Sequence, residues 1–421
     1  MKVLVISNNC FSKTQNMGKT LSGIFSGFSK DDICQLYFYA SIPDGTVCRE
    51  YFRISDYDLL KGKLFGSVGG IVVPRDVGEA KLYESENMER IYRKMNRNRP
   101  WMSFLRTWLW DIARWNSPKL NKWICEMRPD VVFFASGDSV FAYKIVDKIS
   151  RKYHLPVISY ICDDYYGCQV HGFFAKSYQK LLKKWMHKVF SSSCLLTTIC
   201  DSLGAFYQKI FGVDYYVLHT GTKLKPCVVE EKRNCLCYMG NVGLNRWKSL
   251  IQIGEALCDY NMAHDTDYRL EIYSGTKEPH IIKAFGECPS IVFCGWVDYE
   301  QSVQIMQRSM AVIHTESFAP EDISRVKYSM STKIADGLAC GTCLLAYGSE
   351  ELASIQYLQT NDAAIVITES GQLREKLEAV FDPDTRKRVL TNAQSLAAKN
   401  HNAVNNSLKF NKECTMKAGV S

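Results

Sequence analysis

The sequence predicts an α/β protein of two domains, each built on a parallel sheet. Three observations carry that expectation. Residues 1–217 alternate short apolar runs with amphipathic helical segments, the rhythm of strands joined by crossover helices. Residues 218–234, LHTGTKLKPCVVEEKRN, lose that rhythm in a proline and mixed charges, as an interdomain linker does. The alternation restarts at Cys235 and runs to residue 383, and a long helical pattern, frayed after Lys412, fills 384–421. With 46% hydrophobic residues among 421 and no low-complexity tract, the chain has the apolar content for two cores.

Composition excludes several classes. No run of about 20 apolar residues occurs, so no segment is expected to span a bilayer. The opening MKVLVISNN is too short in apolar residues for a signal-peptide core and reads as a first strand, which places the protein in the cytoplasm. Seventeen cysteines scattered through the apolar runs of a large chain read as buried free thiols rather than a disulfide framework. The net charge of +8 suits an anionic nucleotide or an acidic membrane surface, and falls far short of a dedicated nucleic-acid binder.

In the first domain, strands are expected over residues 2–7, 33–40, 130–135, 155–162 and 195–200. The loops at their C-terminal ends, where an open α/β sheet binds ligands, are 8–18, 136–138 and 163–166. The first holds Gly18-Lys19-Thr20, but a phosphate-binding P-loop needs glycine where Lys13 stands, so this reads as a helix start. Asp163 and Asp164 sit in the third loop. Adjacent residues rarely point the same way, so only one is expected to face a ligand, unless both cap a turn. Five of the eight tryptophans lie between Trp101 and Trp123 among basic residues, and a basic, apolar helix follows at 173–190. Such helices fit the headgroup zone of a membrane, or else pack their aromatics into the core.

In the second domain, strands are expected at 235–239, 268–273, 291–294, 310–314 and 363–367, with helices at 246–258, near 350 and at 372–381. Gly240 and Asn241 follow the first strand, and Arg246 and Lys248 open the next helix, so backbone and two cations can approach a diphosphate. The stretch TESFAPEDISRVKYSMSTKIADGLACGTCLLAY, residues 315–347, is the richest in the chain. Glu316 lies just past a strand end. Ser331 or Thr332 caps a helix that carries Lys333 and Asp336 and stops at Gly341. The helix N-terminus and Lys333 offer positive charge to a phosphate, and Asp336, one turn on, can accept from two ribose hydroxyls.

These residues together resemble the nucleotide-sugar site of retaining GT-B glycosyltransferases, family 4-like, in the variant seen in bacterial polysaccharide-assembly enzymes. Glu316 matches the family's acid near the donor sugar, Asp336 its ribose-binding acid, and Leu338 to Gly341 the closing turn. The sequence departs from the pattern in the longer spacing between the two acids and in having Asp rather than Glu second. Lys248 matches the family's lysine on the diphosphate, whereas Arg246 lies further from Asn241 than the family's arginine. The resemblance further implies base recognition near Val297, an Asp163 or Asp164 carboxylate beside the transferred sugar, and Gly18 close to the diphosphate. It implies two Rossmann-like domains facing a cleft, acceptor on the first and donor on the second, with the last helix crossing back to the first domain. The reaction implied is transfer, with retention and without a metal or other cofactor, from a UDP- or GDP-linked sugar to a saccharide or lipid-linked saccharide. That places the protein on the inner face of the plasma membrane, in surface polysaccharide or glycolipid assembly. A non-catalytic scaffold of the same fold and a nucleotide-sugar epimerase are the alternatives.

Other signals carry no site. Asp265-Thr266-Asp267 precedes a strand instead of following one, Cys340 and Cys343 close a helix rather than open it, and the eight histidines show no metal-ligand spacing.

Overall fold

The computed structural model describes residues 1–12, 16–65, 68–75, 100–227, 229 and 232–419. The chain divides into two compact units, Met1–His219 with Ala403–Ser421, and Thr220–Asn402.

The first unit holds β1 (Val3–Ser7), α1 (Asn16–Ile24), β2 (Ile33–Tyr37), β3 (Glu50–Arg53), α2 (Asp56–Phe65), β4 (Gly70–Val72), α3 (Pro100–Ile112), α4 (Pro118–Met127) and β5 (Val131–Ala135). It continues with α5 (Val140–Tyr153), β6 (Val157–Ile161), α6 (Phe173–Phe190), β7 (Leu195–Thr198), α7 (Asp201–Phe211) and β8 (Tyr215–Val217). Its strands order as β4-β3-β2-β1-β5-β6-β7-β8. All pairs are parallel except β3 with β4 at the edge. Strands such as VLVIS and VVFFA are buried along their whole length, the pattern of a sheet covered on both faces. Helix starts are chemically marked: Ser117 accepts from Leu120 N ahead of Pro118, and Arg128 closes α4 in the left-handed region.

The second unit follows with β9 (Arg233–Met239), α8 (Arg246–His264), β10 (Arg269–Tyr273), α9 (Pro279–Gly286), β11 (Ile291–Gly295), α10 (Tyr299–Arg308), β12 (Ser309–Thr315), α11 (Pro320–Val326), α12 (Thr332–Ala339), β13 (Cys343–Tyr347), α13 (Ala353–Thr360), β14 (Ile365–Ile367), α14 (Leu373–Leu377) and α15 (Pro383–Asn400). The sheet is wholly parallel in the order β11-β10-β9-β12-β13-β14. The chain therefore reverses its direction of travel across the sheet between β9 and β12, as it does in the first unit between β1 and β5. At such a switch point the loops leaving two adjacent strands diverge and open a crevice beyond their C-terminal ends. Leu236, Leu250, Ile253, Leu270, Ile313 and Leu345 form the middle of this unit's core.

Two expectations change. The helical pattern at 384–421 is two helices, α15 and α16 (Ala403–Ala418), and only α16 belongs with the first unit. The break falls at His401, whose Nδ1 pairs with Thr220 O at 2.7 Å and Nε2 with Tyr357 OH at 2.9 Å. A buried imidazole with two partners outside its own helix holds the chain in a turn that periodicity cannot register. The five-tryptophan segment also divides: Trp110, Trp115 and Trp123 are core, while Trp101 and Trp108 are exposed. Lys13, three linker residues (228, 230 and 231) and the last two of the tail lie outside the described residues.

Candidate functional site

The switch point of the second unit gathers side chains from four elements. Beyond β9, Gly240 N donates to Tyr273 O (2.9 Å), and a Cβ here would stand 2.9 Å from Lys333 Nζ and 3.2 Å from Tyr238 OH. Glycine is thus what lets a lysine from α12 lie over the end of β9. Asn245 takes left-handed geometry (φ 52°) and donates from Nδ2 to Asp322 Oδ2 (2.8 Å), which aims the start of α8 inward. Beyond β12, Glu316 is fixed through its backbone: its N–H donates to Tyr347 O (3.0 Å), and its carbonyl accepts from Ser249 Oγ (2.9 Å).

Arg246 grips Glu316 with two parallel bonds, Nε to Oε2 at 2.7 Å and a terminal nitrogen to Oε1 at 3.0 Å. The side chains are only 19% and 9% exposed, so this is a secluded fork-on-fork pair. Lys333 adds a second cation within electrostatic reach of both. The cluster sets Arg246 and Lys333 against Glu316, with the buried Asp322 carboxylate also within electrostatic reach of Arg246 and Glu316, at the N-terminal end of a helix whose dipole is positive.

The titration behaviour follows. Burial pushes the Glu316 carboxyl up, and Arg246 opposes that shift. Burial, then repulsion from Arg246, pulls the Lys333 ammonium down, with Glu316 working the other way. His314, buried at the end of β12 with Nε2 3.0 Å from Ser354 Oγ, is pushed down to about 4 by burial and by Arg246 and Lys333. Because this imidazole resists protonation only when folded, the unfolded chain binds the extra proton below its ordinary 6.5. Stability is full above that value and falls as pH drops toward 4. Urea titrations should therefore show wild type losing roughly 2–3 kcal/mol more than His314→Gln between pH 7 and 4.5. Equal losses in the two proteins would refute this.

Asp336 has different partners. Its Oδ1 accepts from the hydroxyls of Thr222 and Tyr299 (3.2 Å for the latter), so it already acts as an acceptor for two hydroxyl groups. Ser331 is the N-cap of α12, accepting from Lys333 N, and Thr332 is exposed at its first turn.

Several expected residues stand elsewhere. Lys248 is exposed, with Nζ 5.6 Å from the centroid of the Trp247 ring. Two residues along a helix is about 200° of rotation, so Arg246 and Lys248 cannot serve the same face, and the second cation of the cluster is Lys333. Asn241 is used locally, accepting from Gly243 N through Oδ1 and from Tyr238 OH through its carbonyl, both at 2.6 Å. Val297 is half-buried in the turn between β11 and α10, beside an exposed Trp296. In the first unit, Gly18 is glycine for packing: a Cβ would stand 2.4 Å from Cys10 O. Asp164 caps its own turn, accepting from Tyr166 N (3.0 Å), Gly167 N (2.7 Å) and Tyr207 OH (3.0 Å). A carboxylate with three donors is committed to structure; its neighbour Asp163 accepts from Cys162 Sγ at 3.7 Å. His314, Tyr238, Asp322, Thr222 and Tyr299 were not anticipated. Only the position of His314 at a strand end gave any hint.

Residues 260–410 match the model of the glycosyl transferase-like family. No curated protein matches the sequence. Among solved structures, Anabaena HepE in complex with UDP and glucose superimposes with a TM-score of 0.60 at 12% identity, over 99% of each chain. Sucrose-phosphate synthase from Thermosynechococcus elongatus (0.60, 9%) and the E. coli trehalose-6-phosphate protein bound with UDP-2-fluoro glucose (0.60, 10%) each align over 100% of both chains. The shared architecture of two Rossmann-like sheets gives this chain the GT-B fold, and residues 260–410 carry its similarity to the glycosyl transferase-like family.

Proposed function

We propose that the chain transfers a sugar from a nucleotide-sugar donor to an acceptor hydroxyl, with retained anomeric configuration. The observation that carries this reading is the Lys333, Arg246 and Glu316 cluster at the switch point of the second unit. Breaking a sugar–diphosphate bond puts negative charge on the leaving diphosphate. Lys333, Arg246 and the first turn of α12 present positive charge there without reorganisation as the bond breaks. This is the task a metal ion performs elsewhere, and the reading assigns it to the protein alone. Glu316, held by Arg246, keeps lone pairs with which to accept from a sugar hydroxyl. Asp336 takes the ribose diol, exchanging the hydroxyls of Thr222 and Tyr299 for those of the nucleotide. Asp163 is the candidate acid on the acceptor side.

Uridine is the favoured base, because similar folds have been solved with UDP, UDP-glucose and UDP-2-fluoro glucose. The acceptor is a saccharide or lipid-linked saccharide of bacterial surface polysaccharide or glycolipid assembly, met on the cytoplasmic side of the membrane. Calorimetric titration with UDP, GDP and ADP, in EDTA and again with magnesium, tests the donor site. Micromolar UDP binding that survives EDTA is expected. A folded protein that binds none of the three would overturn the reading. In the same assay Asp336→Ala should weaken UDP by about tenfold, the scale of one charge-assisted hydrogen-bonding group. Unchanged affinity would remove Asp336 from the ribose site.

A further inference from the structure

Helix α3 is apolar on the wrong side. Trp101, Leu105, Trp108 and Ile112 are 43%, 53%, 59% and 44% exposed. Their spacing of four, three and four residues confines them to about 60° of the helix circumference. The opposite side buries Trp110, whose indole N–H donates to Asp56 Oδ1 (2.7 Å), and anchors Arg106 on the same carboxylate. An ordinary surface helix would place its large apolar residues toward the core and its polar ones outward.

The neighbouring helix carries the complementary chemistry. Phe104 of α3 meets Tyr178 of α6 edge to face at 5.3 Å, so the two helices share one region of the first unit's surface. At its start α6 exposes Phe173 (79%) and Phe174 (55%), followed by exposed lysines at every fourth residue, Lys176, Lys180 and Lys184. Large aromatics beside lysines are the composition of the bilayer headgroup zone, where indole rings sit at the acyl boundary and ammonium groups reach anionic phosphates. Lysine is by contrast depleted from protein–protein interfaces. No described helix is long and apolar enough to cross a membrane, so contact here would be parallel to the surface.

We propose that the exposed face of α3, with the start and lysine row of α6, is a docking surface for an anionic lipid bilayer. It rests on the first unit's surface and is independent of the donor-site reading. The test is co-sedimentation of the full chain with vesicles of phosphatidylglycerol and phosphatidylcholine, and with phosphatidylcholine alone. Binding to the anionic vesicles that weakens with added salt is expected. Leu105→Glu with Trp108→Glu should lower the partition coefficient at least about tenfold, and Lys180→Gln with Lys184→Gln about fivefold for each lysine removed. Wild-type urea midpoints for both double variants would show that they fold. Failure of the wild-type protein to bind anionic vesicles, or unchanged binding by the folded variants, would overturn the proposal. So would a wild-type dimer in light scattering that becomes monomeric in the Glu double variant without vesicle binding, since the stripe would then be a self-interface.

Discussion

Lys333→Ala is expected to lower kcat/KM for the nucleotide sugar by about a hundredfold, whereas Lys248→Ala should change it by less than about threefold. Sequence pattern alone gives the two lysines equal weight, Lys248 standing where a resembling family keeps its diphosphate lysine and Lys333 at a helix start. The structure separates them. Lys333 lies over Gly240 at the end of β9 and within the field of Arg246 and Glu316, while Lys248 is solvent-exposed beside Trp247. Both lysines are exposed, but Lys333 adds to the field of the secluded Arg246–Glu316 pair, whereas Lys248 acts alone through water and salt. The measurement is steady-state release of the free nucleotide from the donor that calorimetry selects, with UDP affinity recorded for each variant. Similar losses in both lysine variants, or none at Lys333, would refute the assignment of leaving-group charge to this cluster.

Glu316→Ala should cost about 3–5 kcal/mol of folding stability, because it leaves the Arg246 guanidinium secluded without its counter-charge. Arg246→Met combined with Glu316→Leu should recover most of that loss, since an apolar pair of similar volume avoids the desolvation of both charges. Urea unfolding of the two single variants and the double variant reads this directly. If Glu316→Ala proves as stable as the wild type, the pair is not the buried, two-bond contact described here. The double variant should at the same time be inactive. Stability without activity would separate what the pair does for the fold from what it does for the site.

Much of this molecule could be read from its residues. Runs such as VLVIS, VVFFA and CLLAY are apolar throughout, and only a sheet covered on both faces can bury every side chain of such a run. The start of α12 was equally legible, because Ser331 before an apolar-periodic segment is a local capping signal. The shortest strands toward the sheet's edges were not. β3, β4 and β8 are three or four residues long, and their pairing depends on a neighbour supplied from elsewhere in the chain.

For the site, sequence determined the residue types and the elements that present them: a glycine after one strand, an acid after another, cations near two helix starts. Which of these meet was decided by tertiary structure alone. Glu316 finds Arg246 seventy residues away, and Asp336 finds Thr222 at a separation of 114, through the packing of adjacent parallel strands and the loops that leave them. Helical rotation then selects Arg246 over Lys248, and a missing Cβ at Gly240 admits Lys333. Backbone propensity is a local property, written residue by residue. A buried charge cluster is a property of which strand ends become neighbours, and that is settled only when the sheet forms.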